Sequence, residues 1–211
     1  MWTRTYCWKE KLFKNPQIKG NIMKLTEELK NEYDNLFNSC IVRDKHITNL
    51  DHTISIITDN KGRYLNVSEK SGNNIPWYFI ATIHSMEASL NFNCHLHNGD
   101  SLARRTTHVP KGRPILGSPL YSWEESALDA LHLKNLDSWS NWTISGMLYK
   151  LEEYNGWGYR RHHPDVLSPY LWSGSNHYTS GKYISDGTFS KKAISKQIGG
   201  ALIIKAFYKG V

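Results

Sequence analysis

The stretch IPWYFIATIHSMEASLNFNCHLHNGD, residues 75–100, imposes a condition that the rest of the chain must meet. Pro76 suits the first turn of a helix, because its ring nitrogen carries no hydrogen to leave unpaired there. Ile80, Ile83, Met86 and Leu90 then recur at helical spacing and predict a buried stripe. Glu87 falls seven residues after Ile80 and four after Ile83, on the edge of that stripe. A carboxylate near the end of an apolar helix, followed by a polar loop from Asn91 to Asp100, is misplaced for a solvated charge. Desolvation raises the pKa of such a group, which is what a general acid working near neutral pH requires. Glu87 is therefore the leading catalytic candidate, with His84 one turn earlier placed to hold or tune it.

At 211 residues the chain is long enough for one domain with a sizeable core. A net charge of +7 and a pI of about 9.2 favour an acidic polymer as partner: nucleic acid, an anionic membrane or a cell wall. The cations are scattered, and no basic run marks a nucleic-acid arm. Eight Trp and twelve Tyr fit either a well-packed core or a groove floored by rings. Cys7, Cys40 and Cys94 form neither a metal spacing nor an even disulfide set, which suits a reducing compartment. No apolar run approaches a membrane span, and the basic N-terminus lacks the apolar core of a signal peptide.

Residues 1–22 have no periodicity and read as an N-terminal extension, with 23–211 as the domain. Thr26 is placed to cap a helix with Leu29, Tyr33, Leu36 and Phe37 inward. A second helix is expected over Thr48 to Asp59, broken by Gly62, with a short turn over Tyr64 to Glu69. Residues 98–121, rich in Gly, Pro and Thr, predict a long loop with a small hairpin, and such segments in compact domains are usually functional. Ser122 and Glu125 form a capping box, so Glu124 and Glu125 have structural explanations. Thr143 caps a further helix ending at Tyr154-Asn155-Gly156. The segment after it reads as loop, and Ser190 is expected to cap a last helix over Ile194, Ile198, Ala201, Leu202 and Ile203.

The order helix, Glu87, Gly-containing loop with Asp100, capped helices and Tyr154-Asn155-Gly156 resembles the lysozyme superfamily, especially goose-type lysozymes and lytic transglycosylases. In that pattern a Glu ends a helix as in Glu87-Ala88-Ser89-Leu90-Asn91-Phe92, and a Tyr-Asn-Gly element shapes the cleft. A closer resemblance is to bacterial and phage-associated lysozyme-like peptidoglycan hydrolases. It rests on Pro76-Trp77-Tyr78-Phe79-Ile80, His84-Ser85-Met86-Glu87, His95-Leu96-His97-Asn98-Gly99-Asp100 and Ser168-Pro169-Tyr170-Leu171-Trp172, across about residues 30 to 205. The Gln-containing stretch that often follows the central loop in the goose-type pattern has no counterpart at that place.

The resemblance implies a mainly α (α+β) lysozyme-like fold with a small β or loop lobe bordering a substrate cleft. It implies cleavage of the MurNAc–GlcNAc β-1,4 bond, with Glu87 protonating the leaving oxygen and a second carboxylate opposite. Asp100 is the nearest candidate for that carboxylate, though an Asn-Gly-Asp turn explains it equally well; Asp165 and Asp186 rank behind it. Without a second carboxylate, the acid and the substrate's own N-acetyl or lactyl hydroxyl suffice, giving an anhydro product. His84, His97, Tyr154, Asn155, Tyr170, Trp172, Asn176 and Tyr178 are the expected substrate-binding residues, with core packing the alternative for His84, His97 and for Tyr154, Tyr170, Trp172 and Tyr178 taken singly.

His95-x-His97 with Asp100 also invites a zinc reading, but no fourth group is evident and the expectation is no metal and no cofactor. The expected partner is bacterial peptidoglycan, met by a monomer with no membrane span and no nucleic-acid role. It would be made in the cytoplasm without a signal peptide and reach the wall through a holin or another delivery machine. Two other classes remain: an inactive wall-binding protein on the same fold, and a nucleic-acid binder with strongly salt-dependent affinity.

Overall fold

The computed structural model describes residues 23–185 and 187–208; the predicted extension 1–22 and Asp186 lie outside them. The chain is mainly α. In order it forms α1 (Glu27–Asn38), a 3-10 turn (Asp44–His46), α2 (Ile47–Asp59), α3 (Lys61–Lys70), α4 (Trp77–Ala88), α5 (Trp123–Leu133), α6 (Ile144–Asn155), α7 (Gly158–His162), α8 (Pro169–Trp172), strands β1 (Lys182–Ser185) and β2 (Thr188–Ser190), and α9 (Gly200–Phe207). Among the described residues, no helix is long and apolar enough to cross a membrane.

The local capping signals work as expected. The Thr26 hydroxyl accepts from the Leu29 amide at the start of α1, and that of Thr143 from Gly146 at the start of α6. Ser122 and Glu125 form a reciprocal capping box at α5. Each such cap stabilises its helix by about 0.5–2 kcal/mol. Glu124 turns away to form a bidentate pair with Arg63, at 2.7 and 3.0 Å.

α4 is the axle. The expected stripe widens to the whole circumference, since Phe79, Ile80, Ala81, Thr82, Ile83 and His84 are all buried. A helix apolar all round needs neighbours on every side, and α2, α3 and α9 supply them. Behind this layer α6 packs on α1, α8 and α9, and α5 on α3. Truncating Ile83 to Ala in such a setting costs about 2–5 kcal/mol.

Four sequence expectations give way. Gly62 does not break the chain: α2 stops at Asn60 and α3 restarts at once, with Gly62 on its surface and Tyr64 and Val67 buried. Leu90 lies beyond α4, which closes at Ser89 in the left-handed conformation; the Leu90 amide bonds back to the His84 carbonyl. The described 98–121 loop has no paired strands: a Cys94–Ser101 bridge and scattered backbone bonds such as Thr106 N–H to the Arg113 carbonyl take the place of the hairpin. The hairpin stands instead at β1–β2, paired antiparallel with Tyr183 opposite Phe189, in a segment read as loop. The rings of Tyr159 and His163 pack against that pair and hold it.

Ser190, expected to start the last helix, lies in β2, and its hydroxyl accepts the Ala193 amide in a single turn. α9 begins only at Gly200, where Gly199 and Gly200 bring the chain onto the backbone of α8 and the side chain of Leu151. A side chain at Gly199 would collide with the Leu171 carbonyl group. Ile194 is left exposed ahead of that start.

Candidate active site around Glu87

Glu87 is the penultimate residue of α4 and is half-buried. Three separate segments close around it. The first is the turn 95–100, held by His95 N–H to the Asp100 carbonyl (2.6 Å) and Gly99 N–H to the His95 carbonyl (2.9 Å). Gly99 adopts φ +75°, and a Cβ there would stand 2.6 Å from the Glu87 carbonyl oxygen. Only glycine lets this turn lie directly on the end of α4.

The second segment is α8. Pro169 starts it, and its Tyr170 hydroxyl donates to Glu87 Oε1 at 3.1 Å. The third is the irregular run before α9, where Gln197 Nε2 donates to the Met86 carbonyl at 3.0 Å. Gln197 was not anticipated; 111 residues separate it from Met86, and no spacing rule links them.

The turn 95–100 is in turn fixed from behind. Tyr154, near the end of α6, donates its hydroxyl to the Leu96 carbonyl at 3.0 Å. His97, buried, meets Asp129 of α5 at 2.7 Å, and Arg113 grips the same carboxylate with two bonds of 2.8 Å. Neither Asp129 nor Arg113 was singled out from sequence. His95 is occupied by the Ser126 hydroxyl and the Arg104 carbonyl, both at 2.8 Å, and its burial pushes its pKa down. Among the described residues, no group of three or more His, Cys, Asp or Glu side chains is placed to hold a metal ion.

Asp100 clamps the long loop. Its carboxylate accepts the Thr107 amide at 2.8 Å, the His108 amide at 2.9 Å and His108 Nδ1 at 2.6 Å. Burial works to raise its pKa, but the bonds from His108 and Thr107 outweigh it and hold the carboxyl at about 2. His84 lies beneath the site rather than in it. It is fully buried, its Nδ1 is 2.9 Å from the Tyr64 hydroxyl, and desolvation pulls its pKa down to about 3.

The remaining predicted residues divide. Asn155, half-buried, ends α6 before Gly156, whose φ of +98° turns the chain away. Asn176 holds the segment after α1, donating to the Ser39 carbonyl and accepting the Ile41 amide. Tyr178 bridges the Gly181 carbonyl and the Ser195 amide. Trp172 is buried against His177 and, with Ser168, lines a cavity of about 360 Å³ that also includes Glu32, Glu152 and Arg160. Asp165, one of the lower-ranked carboxylates, is exposed. The structure thus brings Glu87, Tyr170 and, through the 95–100 turn, Tyr154 and His97 to one place, while Trp172, Asn176 and Tyr178 are committed elsewhere.

Sequence reasoning also passed over the most deeply buried carboxylate among the described residues. Glu152, on α6, accepts the Tyr33 hydroxyl at 2.5 Å and Arg160 Nε at 2.8 Å, and Arg160 reaches on to Glu32. Desolvation raises the Glu152 pKa, and Arg160 works against that. In comparisons with protein-family models, curated proteins and solved structures, nothing matches this chain.

Proposed function

We propose that this protein cleaves the glycan strand of bacterial peptidoglycan at the MurNAc–GlcNAc β-1,4 bond, with Glu87 as general acid. The observation that carries the reading is the Tyr170–Glu87 hydrogen bond. It joins two motifs 83 residues apart that were each singled out for their likeness to lysozyme-type enzymes. Support comes also from Gly99, which lays the third such motif on the Glu87 backbone, and from Tyr154, which holds that motif in place.

In this mechanism protonated Glu87 gives its proton to the glycosidic oxygen as the C1–O bond breaks, and positive charge develops at the anomeric carbon. Tyr170 fixes the carboxyl so that the transfer starts from one geometry. Water then adds at C1, and its proton returns to the Glu87 carboxylate, leaving a new reducing end.

A second reading is favoured by Asp100. Because its carboxylate is taken up by Thr107 and His108, we assign it to the loop rather than to the reaction. A single acid then suits attack by the muramyl 6-hydroxyl, which closes a 1,6-anhydro ring and again returns a proton to Glu87.

The test is mass spectrometry of fragments released from purified peptidoglycan by the wild type and by Glu87→Gln. Reducing-end saccharides from the wild type alone are expected for hydrolysis, and 1,6-anhydroMurNAc ends for the second reading. Equal release by both proteins removes Glu87 from the mechanism. Wall binding without release by either would make the protein a binder.

A further inference from the structure

The loop between Asp100 and α5 is built inside out. Two of its polar side chains, Arg105 and Thr106, are turned onto its own backbone. Arg105 donates to the carbonyls of Pro114 and Gly117, and Thr106 donates to that of Pro110 while accepting the Arg113 amide. The Thr106 amide bonds the Arg113 carbonyl at 2.7 Å, and Arg113 is anchored on Asp129. Leu102 and Tyr121 bury the two ends of the segment. Its aliphatic side chains point the other way: Ile115 is 58% exposed, Leu116 79% and Leu120 81%.

Single exposed aliphatic residues are ordinary on a protein surface. Three within six residues, on a segment cross-braced from below, form a preformed apolar edge. Because Arg105 already holds the Pro114 and Gly117 carbonyls, docking this edge costs less ordering than it would for an unbraced loop.

Charge identifies what the edge meets. From Ser101 to Trp123 the chain has four cations, Arg104, Arg105, Lys111 and Arg113, and no Asp or Glu. Arg104 and Lys111 stand exposed on the same loop. A second copy of this chain, itself at +7, would bring like charge against like. An anionic bilayer answers both features, with its headgroups taking the cations and its acyl boundary taking the aliphatic tips.

We propose that residues 104–120 form a membrane-surface docking loop that seats Ile115, Leu116 and Leu120 in an anionic lipid bilayer. The loop joins the 95–100 turn through Asp100 and through Arg113–Asp129–His97, so docking would hold the Glu87 region at the bilayer surface. This inference stands independently of the glycan reading.

The test is co-sedimentation of the full chain with vesicles of phosphatidylcholine alone and of equal parts phosphatidylcholine and phosphatidylglycerol. The wild type is expected to partition onto the anionic vesicles and at least about tenfold less onto the neutral ones, in a salt-sensitive manner. The double variant Leu116→Asp/Leu120→Asp should lose about tenfold or more in partitioning, and Arg104→Glu/Lys111→Glu should lose it selectively on anionic vesicles. All four sites are exposed, so both variants should keep the wild-type circular dichroism. Failure of the wild type to bind either vesicle overturns the proposal. So does binding by the aspartate variant at the wild-type level, which would reduce the effect to net charge. Self-association that is lost in the aspartate variant, without vesicle binding, would reassign the edge to a second copy. None of these outcomes depends on whether Glu87 cleaves glycan.

Discussion

Glu87 and Glu152 invite comparison, because each is held by a tyrosine hydroxyl near the C-terminal end of a core helix. Glu152 is 2% exposed and sits against Arg160, so its charge is committed to fastening α1 and α7 to α6. Glu87 is half-buried, at a helix end that exits left-handed under a glycine turn. One carboxylate is enclosed by the fold and the other keeps partial exposure at a helix end. Burial by itself therefore does not single out a candidate acid, since the more buried of the two is the one locked in an ion pair.

The comparison breaks if the two glutamates respond alike to removal of charge. Glu87→Gln is expected to lower glycan release by about 10²–10⁴-fold and to leave the thermal midpoint near that of the wild type. Removing the partner of the other carboxylate, Arg160→Met, should destabilise the protein by about 3–5 kcal/mol, because it leaves Glu152 buried without its cation. The double variant Arg160→Met/Glu152→Leu should recover part of that loss in denaturant titration. If Arg160→Met changed release per folded molecule and Glu87→Gln changed stability instead, the assignments would be reversed.

Acid sharpens the picture further. Above pH 6.5 the His84 ring is neutral in both folded and unfolded chains. Below that the unfolded chain binds a proton that the folded one refuses until about pH 3. Stability should therefore fall as pH drops from 6.5 toward 3, with a limiting slope of about 1.4 kcal/mol per pH unit. Asp100 adds to the loss below pH 4, as its carboxylate, held at about 2 in the fold, is protonated more readily in the unfolded chain. Thermal melts across pH should show a flatter profile for His84→Gln than for the wild type.

The smallest effects are those of the two tyrosines. Tyr33→Phe should cost about 1–3 kcal/mol of stability, since Glu152 loses a donor in the core. Tyr170→Phe should cost about 1 kcal/mol in stability but lower glycan release by about tenfold and shift its pH profile. Equal pH profiles for Tyr170→Phe and the wild type would confine Tyr170 to packing.

How much of this was legible in advance follows the range of the interactions. The capping box of α5 and the caps of α1 and α6 were readable because a hydroxyl and an amide three residues apart decide them. Glu87 was readable as a polar break on an apolar helix. The hairpin was missed although Asp186-Gly187 is a turn signal, because its short strands owe their place to Tyr159 and His163 packed against Tyr183 and Phe189. The start of α9 was missed because Ser190 satisfies a local amide as a cap does, while Gly199 and Gly200 are required by the backbone of α8 and by Leu151.

The sequence by itself determined a mainly helical chain, an apolar central helix with a carboxylate at its end, a basic surface and a long Gly- and Pro-rich loop. These follow from periodicity, capping and composition, which act over a few residues or over the whole chain. Only the tertiary structure decided which partners each carboxylate meets, because those pairings join distant residues: Tyr170 to Glu87 and Tyr33 to Glu152 across 119 positions, with Gln197 on the neighbouring Met86 carbonyl. It also left Ile115, Leu116 and Leu120 of the long loop exposed. Hydrogen bonds of that reach depend on how helices pack, and packing is a property of the assembled core rather than of any one stretch of chain.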